Sequence, residues 1–302
     1  MKLLRQRANI LALVRTFFGQ RDFLEVETPL LVPSPGLDLH LEAFEVTTRS
    51  PARYLITSPE YQMKRLLGDG YPRIFQIAKC FRKGELGVHH NPEFTMLEWY
   101  RANAGVGDVM KDTEELVAML SAGSVRLGTR AIDTRTPFER WTVCEAFERF
   151  AAVGEDETLD LAENDEERYF QLMVESVEPG LAALDHAVFL TDYPASQASL
   201  ARRRPDDPRV AERFELYVGG IELCNGFGEL TDPVEQRARL ERDRAERTAR
   251  KLPVYPIDEK FVSALRHVPP SGGNALGVDR LVALVCGGTE IRRAMAFTVE
   301  EL

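Results

Sequence analysis

Residues 73–100 read RIFQIAKCFRKGELGVHHNPEFTMLEWY, and this stretch decides the fold. The segments Arg73 to Arg82 and Glu93 to Tyr100 both have the composition of β-strands. A ten-residue loop, Lys83 to Pro92, separates them and contains two glycines. We expect the two strands to pair in antiparallel fashion around this loop.

Side chains two positions apart share one face of a strand. On that spacing, one face of the expected hairpin collects most of its polar chemistry. Its members are Gln76, Ala78, Cys80 and Arg82 from the first strand and Phe94, Met96, Glu98 and Tyr100 from the second.

A helix and a strand are predicted before this hairpin. Apolar residues recur at helical spacing from Leu4 to Phe18, and the helix should end near Gly19. The stretch Phe23 to Pro29 alternates and stops at a proline, which is typical of a strand at a sheet edge or an interface.

A helical middle region is predicted from about 102 to 185, with helices at Asp108 to Leu120 and Glu166 to Val177. Beyond it, Gly219-Gly220 is a strong signal for a two-residue hairpin turn. If Val218 faces Ile221 across that turn, one face carries Glu215, Tyr217, Glu222 and Cys224. The charge-dense segment Glu235 to Arg250 predicts an exposed helix.

Composition narrows the classes of protein to consider. The 302 residues include 48 acidic and 38 basic side chains, a net charge of −10 that opposes broad attraction to nucleic acid. The four cysteines are widely spaced, so neither a disulfide framework nor a zinc site is indicated. No apolar run approaches the roughly 20 residues of a membrane span. The N-terminus lacks a signal-peptide pattern, and we expect a cytoplasmic protein with no membrane partner.

Three ordered motifs resemble those of the class II aminoacyl-tRNA synthetases. The stretch Phe17 to Pro29 resembles motif 1, Phe81-Arg82 with His90 to Phe94 resembles motif 2, and Gly277 to Arg280 resembles motif 3. The resemblance implies an α+β class II catalytic domain, with an antiparallel β-sheet flanked by helices. It also implies that residues 1–302 form a single domain.

Further stretches narrow the resemblance to the lysine subgroup of these enzymes. They are TSPE at 57–60, MKRLL at 63–67, PEFTMLEWY at 92–100 and ELCNGFGE at 222–229. The stretches YPASQASLA at 193–201 and ALGVDRL at 275–281 are similar to the lysyl-tRNA synthetase-like ligases that modify elongation factor P. The similarity extends over nearly the whole chain and implies ATP and Mg²⁺ as cofactors.

Arginines suit the chemistry that this family performs. An amino-acid carboxylate attacking the α-phosphate of ATP brings two anions together, and a planar, permanently charged guanidinium can hold both. The motif matches assign this catalytic role to Arg82 and the terminal phosphate to Arg280, while Phe94 would stack on adenine. The implied ATP site consists of Arg82, Lys83, Gly84, Glu85, His90, Asn91, Phe94, Glu222, Leu223, Gly277 and Arg280.

The resemblance also implies an acidic amino-acid pocket, formed around Glu60, Glu98 and Glu229. Concentrated negative charge favours a substrate with two ammonium groups, such as lysine or β-lysine. The implied set consists of Ser58, Pro59, Glu60, Glu98, Tyr100, Asn225, Glu229 and Ala275. Lysyl-tRNA synthetases tend to carry glycine where this chain has Ala275, and alanine is associated with β-lysine. The sequence leaves the choice between α-lysine and β-lysine open.

Magnesium takes hard oxygen ligands and usually keeps waters and substrate phosphates in its shell. The resemblance assigns its protein ligands to Glu222 and Glu229, which stand seven residues apart.

The reaction implied is formation of an aminoacyl-adenylate and transfer of the amino acid to a lysine side chain of elongation factor P. The chain starts at motif 1, without room for an N-terminal anticodon-binding domain, so no stable tRNA binding is expected. A homodimer through the motif 1 helix and Pro29 is also implied. Two alternatives remain open: a synthetase paralogue that charges tRNA, and a non-catalytic regulator that binds an amino acid.

Overall fold

A computed structural model of the protein describes residues 2–47, 51–198 and 200–302. Ser199, which belongs to the 193–201 stretch, lies outside the described residues. The strands are β1 (Leu24–Glu25), β2 (Leu31–Val32), β3 (Glu45–Val46), β4 (Arg53–Leu55), β5 (Arg73–Phe81), β6 (Glu93–Ala102), β7 (Ser124–Leu127), β8 (Arg130–Asp133), β9 (Glu139–Thr142), β10 (Val188–Pro194), β11 (Val210–Val218), β12 (Ile221–Gly228) and β13 (Ser271–Gly277). The helices are α1 (Lys2–Gly19), α2 (Glu60–Gly68), α3 (Val106–Ser121), α4 (Val143–Ala151), α5 (Glu155–Asn164), α6 (Glu166–Leu172), α7 (Glu178–Ala182), α8 (Pro233–Ala249), α9 (Glu259–Ala264) and α10 (Val278–Val285).

Within the described residues, eight strands form one mixed sheet in the order β1-β5-β6-β13-β12-β11-β10-β9. The six central strands pair antiparallel, whereas β1 runs parallel to β5 and β9 runs parallel to β10. The expected α+β arrangement of a sheet flanked by helices is therefore confirmed. The sheet is antiparallel at its centre only, because two short edge strands join it in the parallel sense.

Helices α1, α3 and α10 cover one face of the sheet and form the largest core with it. The Phe18 ring stacks on Phe75 at 4.8 Å between centroids and lies 5.3 Å from Trp99. Burial of such large aromatic side chains contributes several kcal/mol to folding. The opposite face of the central strands borders a large cavity.

The first predicted hairpin is confirmed by strands β5 and β6. Cys80 lies opposite Phe94, and Gln76 lies opposite Glu98, so these side chains share one face as predicted. Arg82 follows the strand directly, and its backbone N–H donates to the Pro92 carbonyl at 2.9 Å. This bond closes the base of the loop and fixes where the Arg82 side chain emerges.

The second predicted hairpin, formed by β11 and β12, is confirmed at its turn but not along its length. Gly219 and Gly220 adopt φ angles of 59° and 84°, which favour glycine, and Val218 lies opposite Ile221. A bulge then shifts the register, so that Leu216 pairs with Cys224. Cys224 therefore joins the apolar core, and its predicted place on the polar face is wrong. Strict alternation cannot reveal an inserted residue.

The predicted N-terminal helix is confirmed as α1. The strand expected from Phe23 to Pro29 is wrong in length, since β1 comprises only Leu24–Glu25. Beyond β1, the Val26 N–H donates to the Phe75 carbonyl at 2.9 Å and the Thr28 hydroxyl donates to the Gln76 side chain at 3.0 Å, which continues the contact with β5.

The middle region contains the predicted helices as α3 and α6, and α6 continues into a π-helical turn, Met173–Val177. The same region also contains β7, β8 and β9, which the prediction of a helical region missed. Helices α4 to α7 pack against β10 in a second apolar cluster. Among the described helices, none combines the length and apolar character that a membrane crossing requires.

The predicted charge-dense helix is α8, but one of its faces is buried. Arg247 is only 1% exposed. Its guanidinium donates to the backbone carbonyls of Pro253 at 2.6 Å and Leu41 at 3.0 Å. The expectation of an exposed helix therefore holds for one face of α8 and is wrong for the other. Arginine on a helix can serve distant backbone acceptors as well as neighbouring carboxylates.

Candidate active site

A cavity of about 590 Å³ lies beside the central strands of the sheet. Two members of the implied amino-acid set, Asn225 and Ala275, line it. Most of the implied ATP site also lines it: Arg82, Glu85, His90, Asn91, Phe94, Glu222, Leu223, Gly277 and Arg280. Residues separated by nearly 200 positions in the chain thus meet at one cavity.

Arg82 stands at the cavity wall where β5 ends. Its Nη1 lies 3.5 Å from Glu85 Oε1, and its guanidinium carbon lies 5.0 Å from the centre of the Phe94 ring. The Nε atom donates weakly to the Thr57 carbonyl at 3.4 Å. Held in this way, the guanidinium keeps donors available for an anion in the cavity.

Arg280 approaches the cavity from the start of α10. Its Nη1 donates to the Glu222 carbonyl at 2.8 Å and lies 3.3 Å from the Glu222 carboxylate. Its Nη2 lies 2.6 Å from His90 Nε2. Burial, followed by the charge of Arg280, lowers the pKa of His90. The neutral ring can therefore accept a hydrogen bond from the guanidinium.

The neighbouring residue, Asp279, anchors this arginine in the fold. One carboxylate oxygen accepts from Arg7 of α1 at 2.6 Å, and the other accepts from the backbone N–H of Thr95 in β6 at 2.6 Å. These bonds tie α10 to α1 and β6. They fix the segment that presents Arg280.

Three members of the implied ATP set have roles in the loop after β5. Lys83 forms an ion pair with Glu42, and Gly84 lies in a turn; neither lines the cavity. Asn91 does line it, while its Nδ2 donates to the Glu93 carbonyl at 2.6 Å and its Oδ1 accepts from the Val299 N–H at 3.0 Å. Asn91 thus joins the loop to the C-terminal segment.

The implied acidic residues Glu60, Glu98 and Glu229 lie together beside the cavity, outside its lining. Strand register connects them to it, because Glu98 lies opposite Ala275, which lies opposite Asn225. All three carboxylates act on Tyr100, whose pKa is raised well above its ordinary value by burial and then by Glu98, Glu60 and Glu229.

Glu98 is buried and accepts two hydrogen bonds from neutral hydroxyl groups. Tyr100 donates to Oε1 at 2.5 Å, and Ser58 donates to Oε2 at 2.6 Å. Burial and the nearby charge of Glu60 raise the pKa of Glu98 to about 8, although both hydroxyls favour the charged form. Ser58 also accepts from the Glu60 N–H at 3.1 Å, and Pro59 occupies the cap position of α2.

Sequence reasoning missed Lys64, which lies between the other two carboxylates. Its Nζ is 2.5 Å from Glu60 Oε1 and 2.5 Å from Glu229 Oε2, and its side chain is 1% exposed. Burial alone would lower the pKa of Lys64, but Glu229 and Glu60 together raise it above its ordinary value. Burial raises the pKa of Glu229 to about 7 against the opposing effect of Lys64. The sequence offered one weak signal, the spacing of four positions between Glu60 and Lys64 on a helix, whereas the burial of Lys64 is visible only in the structure.

The predicted metal pair, Glu222 and Glu229, is wrong as a joint site. Glu222 lies near the start of β12 and Glu229 follows its end, so at about 3.3 Å per residue they are roughly 20 Å apart. Glu229 is instead paired with Lys64. Among the described residues, no group of three His, Cys, Asp or Glu side chains could hold a metal ion.

Burial raises the pKa of Glu222, and the nearby charge of Glu215 raises it further. Tyr193 and Tyr217 donate to Glu215 at 2.6 and 2.8 Å, and Arg213 donates at 2.7 Å. Glu222 and Glu215 both line the cavity. The residues present fit a magnesium ion whose ligands would be the Glu222 carboxylate, phosphate oxygens and waters. Glu215 would add negative charge close to Glu222.

A second group that sequence reasoning missed is the apolar wall contributed by the middle region. Phe170, Met173 and Val174 line the cavity, and Val174 remains 58% exposed. Met173 and Val174 belong to the π-helical turn, a departure from α-helical geometry that is frequent at functional sites. No residue pattern in the sequence marks such a turn.

Comparison with known proteins shows which family the chain resembles. Residues 1–301 match the family model described as tRNA synthetases class II (D, K and N). Proteins named elongation factor P–(R)-β-lysine ligase from Hamiltonella defensa subsp. Acyrthosiphon pisum and from Salmonella paratyphi B are each 41% identical to this chain over 321 residues. Each alignment covers 98% of this chain and 95% of the relative. Because the family match spans essentially every element described above, the chain belongs to the class II tRNA synthetases of the D, K and N type.

Proposed function

We propose that this protein activates β-lysine with ATP and transfers it to a lysine side chain of elongation factor P. The observation that carries the proposal is the 41% identity, along 98% of the chain, to proteins named for this reaction. The cavity supports it, since it brings two arginines together with an aromatic face and has buried carboxylates beside it.

In the first step, a carboxylate oxygen of the amino acid attacks the α-phosphorus of ATP, and the bond to the β-phosphate breaks. Arg82 would hold the two reacting anions, because its guanidinium has a planar set of donors. Arg280 would bind the terminal phosphate, while Phe94 would stack against adenine. Pyrophosphate leaves, and the aminoacyl-adenylate remains.

In the second step, the ε-amine of the acceptor lysine attacks the acyl carbon of the adenylate. An amide forms, AMP leaves, and the amine gives up a proton. When bound, magnesium would neutralise phosphate charge, and Glu222 would hold it. The contacts of Arg280 with Glu222 and His90 prepare this side of the cavity before the substrates arrive.

The tRNA-charging alternative is less well supported by the surface charge. The chain carries a net charge of −10, and two arginines of the short basic run 202–204 are already in ion pairs. Arg202 lies 2.6 Å from Glu212, and Arg204 lies 2.6 Å from Asp206. We therefore propose that no stable tRNA complex forms. The alternative of a non-catalytic regulator is disfavoured because Arg82 and Arg280 share one cavity.

We further propose that the protein acts in the cytoplasm as a homodimer of single catalytic domains. Support for the dimer comes from apolar side chains exposed within the motif 1 stretch and on either side of it. Leu13 is 46% exposed, Leu24 is 50% exposed and Leu31 is 44% exposed. Exposed leucines concentrated in neighbouring elements are typical of an interface.

The proposed function is tested by incubating the purified protein with ATP, elongation factor P and either α-lysine or (R)-β-lysine. Mass spectrometry should show that elongation factor P gains one lysyl residue, and more rapidly with β-lysine. ATP–pyrophosphate exchange with each isomer separates activation from transfer. If no diamino acid supports exchange, the proposed activation is rejected and the regulator alternative is favoured.

A further inference from the structure

Lys64 is a buried cation that no step of the proposed reaction uses. It lies on α2 with its ammonium group 2.5 Å from carboxylate oxygens of both Glu60 and Glu229. Its side chain is 1% exposed, and that of Glu229 is equally buried. The buried ion pairs of Lys64 therefore differ from surface ion pairs such as that of Lys111 with Glu115, which are 3.9 Å apart. The Lys111 side chain is 71% exposed.

Stability alone is a weak reason for such an arrangement. Removing charged groups from water costs free energy that their mutual attraction only partly offsets, and apolar side chains of similar volume often stabilise a fold as well or better. Lys64 also lies among apolar neighbours on its helix, since Tyr61, Met63 and Leu67 are buried with it. A purely structural position on this face would suit an apolar residue.

The carboxylates keep unused capacity for cations. Glu229 Oε2 faces Lys64, but Glu229 Oε1 is buried and has no hydrogen-bond partner among the described residues. Within the part of the chain that the structure describes, Glu98 accepts only from the neutral hydroxyls of Ser58 and Tyr100. Gly273 allows this packing, because a Cβ there would come within 2.3 Å of Glu229 Oε1 and 2.4 Å of the Tyr100 ring.

Simple counting of charge relates these groups to the substrate. Glu60, Glu98 and Glu229 carry three negative charges when ionised, and Lys64 leaves two of them unbalanced. A diamino acid brings two ammonium groups, while its carboxylate is directed to Arg82. The buried groups would then be neutral overall, which is the least costly state for charges removed from water.

We propose that Lys64 is a positioning residue that sets the charge of the amino-acid site, so that the site is balanced by a substrate with two ammonium groups. This inference rests on the proposed function. Lys64 holds Glu60 and Glu229 at a fixed separation and reduces their repulsion. It leaves Glu98 and the open oxygen of Glu229 to receive the substrate.

Four variants test the role of Lys64: Lys64→Met, Glu229→Gln, the double variant, and the control Lys111→Met. Each is assayed by ATP–pyrophosphate exchange and by calorimetric titration with lysine isomers, and thermal unfolding reports the fold. We expect Lys64→Met to raise the KM for the diamino acid at least tenfold, with the KM for ATP changed less than twofold. Lys111→Met should match the wild type in every assay.

The double variant provides the sharper criterion. With Glu60 and Glu98 alone, it again has two negative charges for two ammonium groups, so its KM should be at least threefold lower than that of Lys64→Met. If Lys64→Met unfolds, the double variant should still fold, because it lacks the unbalanced carboxylate. A double variant as impaired as Lys64→Met, or a Lys64→Met variant with an unchanged KM for the amino acid, would overturn the inference. Failure of the wild type to bind any diamino acid would instead reject the proposed function.

Discussion

At the scale of single residues, the site depends on cations that the protein has already fixed in position. Arg280 is held by Glu222, His90 and the His89 carbonyl, and Arg82 is held between Glu85 and the Phe94 ring. Fixed charges stabilise a developing anion more effectively than charges that must first be ordered. The catalytic contribution of each arginine should therefore be large and separable from folding.

We predict that Arg82→Ala or Arg280→Ala lowers the rate of adenylate formation by about 10² to 10³ or more, because each removes a fixed positive charge. ATP–pyrophosphate exchange measures the loss, and circular dichroism with thermal unfolding measures the fold. Arg135→Ala is the control, since the Arg135 side chain is 78% exposed and forms an ion pair with Asp133. Exchange at the wild-type rate in either site variant would refute the assignment.

The affinity for the diamino acid should depend on pH through Glu98. Burial and Glu60 raise the pKa of Glu98 to about 8, so the side chain is mostly protonated at neutral pH in the free protein. A substrate ammonium group favours the ionised form, and binding should strengthen as pH rises, by at most roughly tenfold per pH unit. The gain should level off once the pH exceeds about 8.

Calorimetric titration with lysine at several pH values checks this dependence. Glu98→Gln should bind more weakly and lose the part of the rise near pH 8, because its side chain cannot release a proton, while a rise near pH 7 from ionisation of Glu229 remains. The free energy of unfolding should depend on pH in the opposite direction to binding. An acid whose pKa is raised in the folded state stabilises the fold at low pH, and that contribution is lost as pH rises through about 8. Binding by the wild type that weakens steadily from pH 6 to 8 would contradict this role of Glu98.

At the scale of elements, local patterns predicted what local chemistry determines. The register of β5 with β6 and the turn at Gly219-Gly220 follow from strand periodicity and turn chemistry. The bulge that moved Cys224 into the core depends on the partner strand, so periodicity within β12 could not reveal it. Short strands such as β9 are likewise defined by pairing rather than composition.

The candidate site was predictable to a similar degree. Motif residues identified the two arginines, but they could not show that Glu222 and Glu229 lie at opposite ends of one strand. Nor could they show that Lys64 neutralises part of the acidic pocket, because burial of a lysine depends on its spatial neighbours. Roles in metal binding and charge balance therefore required the three-dimensional arrangement.

We predict that Asp279→Ala destabilises the protein by about 3 kcal/mol, because it leaves Arg7 without its carboxylate and the Thr95 N–H without an acceptor. It should also lower the rate of adenylate formation by displacing Arg280. Urea unfolding measures the first effect, and pyrophosphate exchange measures the second. Asp133→Ala, which removes an exposed pair with Arg135, should have a much smaller effect on unfolding. An equal loss in both variants would show that Asp279 does not join these elements.

At the scale of the whole molecule, one face of the sheet packs into the main core and the other borders the candidate active site. Helices α1, α3 and α10 bury one face in the main core, while the cavity and the acidic residues occupy the other. Helices α4 to α7 form a separate apolar cluster, and the turn at Met173–Val177 extends from it to the cavity. Helices α4 to α7 can therefore shape the cavity without disturbing the main core.

We predict that introducing charged side chains at the exposed leucines dissociates the proposed dimer. Leu13→Asp combined with Leu31→Asp should convert the dimer to a monomer, because each change places a charge in an apolar contact. Light scattering coupled to size-exclusion chromatography gives the mass, and unfolding of the monomer shows that the fold survives. Val234→Asp is the control, since Val234 is 78% exposed near the start of α8. A wild-type protein that is already monomeric would reject the dimer.

The central claim is that the activated amino acid passes to a protein rather than to tRNA. The most direct measurement offers both acceptors together: purified protein, ATP and labelled (R)-β-lysine are incubated with elongation factor P and bulk tRNA in equal amounts. Label should accumulate on elongation factor P, at a single lysine located by peptide mass spectrometry, and tRNA should stay at background. Preferential labelling of tRNA would contradict the account.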